Sequence, residues 1–110
     1  MEIRESAEDY LERILMLNKR MVQVRAVDIA NLMNFSKPSV SIALKKLRQN
    51  GYVNIDGGGY ITLTESGLEI AERVFERHRL ISQLLMALGV DEQTAKEDAC
   101  RVEHDLSVES

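Results

Sequence analysis

Residues 27–63, VDIANLMNFSKPSVSIALKKLRQNGYVNIDGGGYITL, decide the fold, because the apolar period changes within them. VDIANLM places Ile29, Ala30 and Leu32 on the inner side of a short helix. Asn34-Phe35-Ser36 then makes a brief turn. Ser36 is a suitable N-cap for a helix over 37–49, and Pro38 falls in its first turn, where a missing N–H costs nothing. Val40, Ala43, Leu44 and Leu47 supply the buried stripe of that helix, and Asn50-Gly51 ends it. From Tyr52 the period drops to two. Residues 52–55 and 60–63 read as short strands, with Asp56-Gly57-Gly58-Gly59 as the hairpin turn between them.

On the N-terminal side, residues 6–17 (SAEDYLERILML) read as a helix capped by Ser6, with Tyr10, Leu11, Ile14 and Leu15 as its apolar stripe. On the C-terminal side, Thr64 caps a long helix over 65–87, with Ala71, Val74, Phe75, His78, Ile81 and Leu85 on one face. Gly89 breaks that helix, and Asp91 caps a last one over 92–106. Helix, short turn, helix and then a two-stranded hairpin is the order of a winged helix-turn-helix. The expected fold is therefore mainly α: a winged helix-turn-helix with a two-stranded β wing over residues 1–64, followed by a helical region over 65–110.

The charge is unevenly placed. The 110 residues carry a net charge of −4, which by itself argues against a nucleic-acid binder. Residues 19–53, however, hold Lys19, Arg20, Arg25, Lys37, Lys45, Lys46 and Arg48 against Asp28 alone, a local charge of +6 beside −10 elsewhere. In a winged helix the second helix of the helix-turn-helix enters the DNA major groove. Lys37 opens that helix, and Lys45, Lys46 and Arg48 lie toward its far end, where a phosphate backbone runs. Ser36, Lys37, Pro38, Ser39, Ser41 and Ile42 fall where base edges are met; hydroxyls there can bond phosphates or bases, and Pro38 or Ile42 can touch a thymine methyl. Arg25 joins these as a candidate DNA contact within the basic block. A solvated basic face or a protein-interaction module remains the plainer alternative.

Apolar residues make up 45% of the chain, enough for a compact core, and no apolar stretch is long enough to span a bilayer. No leader-like segment opens the sequence and there is a single cysteine, so a reducing, cytoplasmic location is expected. That cysteine belongs to a constellation. Cys100, Glu103 and His104 fall at i, i+3 and i+4 on one helix face, His78 lies on the stripe of the preceding helix, and Asp9 and Glu12 share a face of the first. Mixed carboxylate, imidazole and one sulfur suit a first-row divalent ion such as Mn²⁺, Fe²⁺, Co²⁺ or Zn²⁺, and match a structural zinc site poorly. Each residue also has a plainer reading: a small core cysteine, a core histidine, acids on a helix's first turns.

SAEDYLERI (6–14), SKPSV (36–40), GYITLTESG (59–67), ERHRLI (76–81) and LGVDEQTAKEDACRVEHDLS (88–107) together resemble the diphtheria toxin repressor family, which includes iron-dependent repressors and manganese transport regulators. The resemblance implies a homodimeric, metal-activated repressor of metal-uptake or metal-homeostasis genes, acting on a double-stranded DNA operator. It makes residues 65–110 a metal-binding and dimerisation region. It also makes Asp9, Glu12, His78, Cys100, Glu103 and His104 the metal ligands, with Mn²⁺ or Fe²⁺ as the ion and Co²⁺, Ni²⁺ or Zn²⁺ able to substitute in vitro.

The chain mixes two signatures of that family: Asp9 replaces a methionine of the iron-type members, whereas Cys100 is the iron-type residue where manganese-type members have a glutamate. Ser82 and Glu97 depart from the iron-type ancillary site, and Ile42 replaces a polar residue on the reading helix. The family continues into a further dimerisation helix, so the second region is expected to be short of the family's length and its dimer weak. No nucleophile, separate general base or phosphate loop is found, so an enzyme is not expected and neither a membrane nor a small organic substrate is among its expected partners. A metal-independent winged-helix regulator is the main alternative, and a small metallohydrolase a lesser one.

Overall fold

The computed structural model describes residues 5–102. The elements run α1 (Glu5–Arg20), α2 (Ala26–Met33), α3 (Lys37–Gln49), β1 (Val53–Ile55), β2 (Ile61–Leu63), α4 (Glu65–Ala87) and α5 (Glu92–Val102). Two compact units are present, one up to Ala71 and one from Glu72, the division falling within α4.

In the first unit, α1 packs on α2 and β2, and α3 packs on α2 and β1. Tyr10, Leu11, Ile14, Leu15 and Leu17 of α1 meet Ile29, Ala30, Val40, Leu44, Leu47, Val53 and Ile61 in one buried core. β1 and β2 pair antiparallel with Val53 opposite Leu63 and Ile55 opposite Ile61, so both strands turn the same apolar face inward and expose Asn54 and Thr62. Beyond the hairpin, Ile61 N–H donates to the Val24 carbonyl at 2.7 Å, which ties the α1–α2 connection to the wing. In the second unit, Val74 of α4 and the small pair Ala95 and Ala99 of α5 are buried.

Local chemistry explains the boundaries. Ser36 caps α3 with extended φ/ψ, accepting Ser39 N–H at 3.3 Å, and Pro38 sits in the first turn. Asn34 (φ 58°) ends α2 in the left-handed region, and Gly51 (φ 80°) turns the chain after α3. In the wing, Asp56 Oδ1 accepts the N–H groups of Gly58 (2.9 Å) and Tyr60 (3.0 Å), so one carboxylate closes the loop.

Two expectations are corrected. Leu32 is 39% exposed rather than inward. At about 100° per residue, i+4 from Ile29 is Met33, which continues the buried line and is half-buried, while Leu32 swings off it. Ser6 does not cap α1, because the helix has already begun at Glu5. The expected extension of the last helix to 106 lies outside the described residues.

A close backbone approach joins the start of α4 to the turn after α3. Thr64 Oγ1 donates to the Gly51 carbonyl at 2.6 Å and accepts Gly67 N–H at 3.1 Å, and Thr64 N–H bonds the Tyr52 carbonyl at 3.1 Å. A Cβ at Gly67 would lie 2.0 Å from that Tyr52 oxygen, a backbone atom with no rotamer to change. Gly67→Ala is therefore expected to destabilise the protein by about 1–3 kcal/mol through overpacking. The check is a lowered urea midpoint at unchanged slope.

Candidate DNA interface and metal ligands

The buried line of α3, Val40, Leu44 and Leu47, fixes what the helix shows to solvent. Lys37, Pro38, Ser39, Ser41, Ile42, Lys45 and Lys46 are all exposed, as is the capping Ser36. The two serines are not equivalent. Ser36 accepts Ser39 N–H and donates its own O–H to Ser39 Oγ at 2.9 Å, so its hydrogen bonding is committed to the cap. The Ser39 hydroxyl keeps its proton for a partner outside the helix. The far end of α3 carries Lys45, Lys46 and Arg48, all exposed, where cations also suit the helix dipole.

Arg25 is placed by a contact the sequence did not signal. It precedes α2, its backbone N–H bonds Asp28 Oδ2 at 2.9 Å, and its guanidinium lies 4.5 Å over the Tyr60 ring while donating to the Tyr60 hydroxyl at 3.0 Å. Tyr60 belongs to the wing, 35 residues along the chain. The pair holds a cation between the start of α2 and the hairpin, and no local pattern links two positions so far apart.

The candidate metal ligands are spread over three helices. Asp9 (half-buried) and Glu12 lie on α1, His78 (half-buried) on α4 and Cys100 (half-buried) on α5. Glu103 and His104 lie outside the described residues. Among the described residues no three His, Cys, Asp or Glu side chains gather into a metal-holding cluster. Glu12 is the exceptional member: its side chain is 1% exposed, flanked in sequence by buried Leu11, Ile14 and Leu15, with the Arg13 guanidinium 3.8 Å from Oε1. Burying a carboxylate is costly unless its charge is compensated, which Arg13 does in part, and carboxylate, imidazole and thiolate are donor types that fit a divalent transition ion. On α4 one turn beyond His78, the buried Ser82 hydroxyl has no hydrogen-bond partner among the described residues.

Comparison with known proteins gives two matching family models. Residues 2–59 match the model of the iron dependent repressor N-terminal DNA binding domain, and residues 64–110 match that of the iron dependent repressor metal binding and dimerisation domain. The chain belongs to the iron-dependent repressor family. It is 42% identical over 107 residues to an uncharacterised helix-turn-helix transcriptional regulator of Methanocaldococcus jannaschii, covering 96% of this chain and 86% of that one. It is 34% identical to the transcriptional regulator MntR of Escherichia coli, covering 97% of this chain and 69% of that protein. Among solved structures, that of the manganese regulator SloR aligns with a TM-score of 0.81 at 33% identity, covering 98% of this chain and 50% of SloR. The chain thus spans about half the length of that regulator. The iron-dependent repressors are metal-dependent transcriptional regulators, not enzymes, and the mainly α winged-helix architecture is theirs. No helix among the described residues is long and apolar enough to cross a membrane.

Two outcomes follow, the first from the α3 surface. Lys45→Ala and Lys46→Ala should each weaken DNA binding evenly across sequences and lower the salt slope by about 1, read from affinities measured between 50 and 200 mM salt. The second concerns the start of α5, where Asp91 accepts Thr94 N–H at 3.0 Å and is thereby held below the usual carboxylate range. A depressed folded pKa gives stability that is present above the unfolded pKa and lost as pH falls through the folded one. The protection factor of the Thr94 amide, taken against the intrinsic exchange rate at each pH, should therefore fall on acidification, and Asp91→Asn, which caps without titrating, should remove that acid dependence.

Proposed function

We propose that this protein is a metal-activated transcriptional repressor that binds a double-stranded DNA operator as a homodimer, with Mn²⁺ or Fe²⁺ as the activating ion and genes of metal uptake or homeostasis as its targets. The observation that carries the reading is the buried Glu12 carboxylate on α1 of a winged helix whose reading helix is outwardly cationic. The ligands are Asp9, Glu12, His78, Cys100, Glu103 and His104. These residues would hold a divalent ion, which would supply positive charge against the carboxylates.

The residues divide the work. Asp9, Glu12 and Glu103 would bind through oxygen, His78 and His104 through a neutral ring nitrogen, and Cys100 through its thiolate. Lys37, Lys45, Lys46 and Arg25 neutralise phosphates and set register; Ser39, Ser41, Pro38 and Ile42 face the bases. The acidic remainder of the chain repels DNA, and that repulsion weakens when ligand carboxylates are neutralised. The exposed line Leu80, Leu84 and Leu88 at i, i+4 and i+8 of α4 and just beyond it supports a second copy as partner, since residues 80–88 carry no charge. Whichever compartment holds the DNA is where the protein acts.

The test is anaerobic titration of DNA binding with Mn²⁺ and with Fe²⁺, since both Cys100 and Fe²⁺ oxidise in air. Binding should tighten with metal, at two chains per operator, and the response should vanish in His78→Ala while the metal-free protein unfolds at an unchanged midpoint. Equal affinity in chelator and in metal overturns metal activation and leaves a metal-independent winged-helix regulator.

A further inference from the structure

We infer that Ile42 is a specificity-determining residue that reads a thymine through its 5-methyl group, so that the operator half-site carries a thymine facing the middle of α3. The inference rests on the DNA-binding reading above and deepens it.

Ile42 is 59% exposed. At about 100° per residue it points roughly 200° away from Val40, so it lies opposite the buried line of Val40, Leu44 and Leu47. It is therefore at the centre of the face that α3 turns outward. Single exposed apolar residues are ordinary on protein surfaces and need no explanation. Here the surroundings are specific. Pro38, one turn back, continues the apolar strip; Lys45 and Lys46 flank it toward the C-terminus, and the hydroxyls of Ser39 and Ser41 lie on either side. The strip is apolar at its centre and cationic at its rim, and the charge complements a phosphate-lined groove rather than another protein's acidic patch or a lipid surface.

The chemistry of the bases narrows the choice. Adenine is read in the major groove by asparagine or glutamine and guanine by arginine or lysine. No asparagine, glutamine or arginine stands between Lys37 and Lys46, and the lysines flank the centre of the outward face rather than occupy it. Of the four bases only thymine offers an apolar group in the major groove, its C5 methyl. An isoleucine at the centre of the outward face can gain from that methyl, and it leaves a polar edge of any other base without its water partners. Its stiff, β-branched side chain loses little further freedom when it seats against the methyl.

The experiment uses the full chain in Mn²⁺ buffer. A duplex is selected from a random pool, and each thymine of the selected half-site is then replaced singly by deoxyuridine, which removes only the methyl. Wild-type affinity should fall about fourfold at one thymine, the worth of one buried methyl-sized group. In Ile42→Ala that same replacement should have no effect, while the unfolding midpoint changes little, because the residue is exposed on the face opposite the buried line. A repeat selection with Ile42→Gln should exchange that thymine for adenine, whose N6 and N7 a carboxamide can bond. If the deoxyuridine series is identical for wild type and Ile42→Ala, the thymine assignment is overturned while DNA binding stands. If no duplex is enriched over the starting pool, the DNA-binding reading falls, and the assignment with it.

Discussion

The approach of α4 to the backbone of Gly51 and Tyr52 is the constraint on which the DNA-reading unit depends. Gly67 lies where any side chain would strike the Tyr52 carbonyl, and Thr64 bonds the Gly51 carbonyl and Gly67 N–H with one hydroxyl. Those two backbone residues are also where α3 ends and β1 begins. One knot of backbone thereby fixes the exit of the reading helix, the entry of the wing and the start of the long helix. Val24 adds a second tie, its carbonyl accepting from Ile61 of the wing. The reading helix is held at its end by hydrogen bonds and along its length by Val40, Leu44 and Leu47, so its outward residues are presented on a rigid support.

Electrostatics set the second condition. The chain is acidic as a whole, and its basic block runs from the end of α1 through α3. On α3 these cations are exposed, whereas one carboxylate of α1, Glu12, is buried. An exposed cation costs almost nothing and steers a polyanion; a buried carboxylate is expensive and persists where a positive partner compensates it.

Much of this was legible from the residues. The bounds of α3 and α4 follow from Ser36, Gly51, Thr64 and Gly89, because caps and left-handed turns are local chemistry with few alternatives. The wing follows from a change of period and three glycines after an aspartate. The error at Leu32 arose where a helix of eight residues gives periodicity too few turns to separate i+3 from i+4. The candidate ligands were legible only as a pattern of types and spacings on three helices, and the pattern drew its meaning from the set rather than from any one residue.

The sequence by itself determined the order of elements, the basic reading helix in an acidic chain, and the family, because capping, periodicity and charge are properties of short stretches. Only the tertiary structure decided that Gly67 is a contact point rather than a mere weak helix residue, that Arg25 is stacked on Tyr60, and that Glu12 is buried. These depend on distances between residues far apart in the chain or on which side of a helix finds a core. No local pattern encodes such distances.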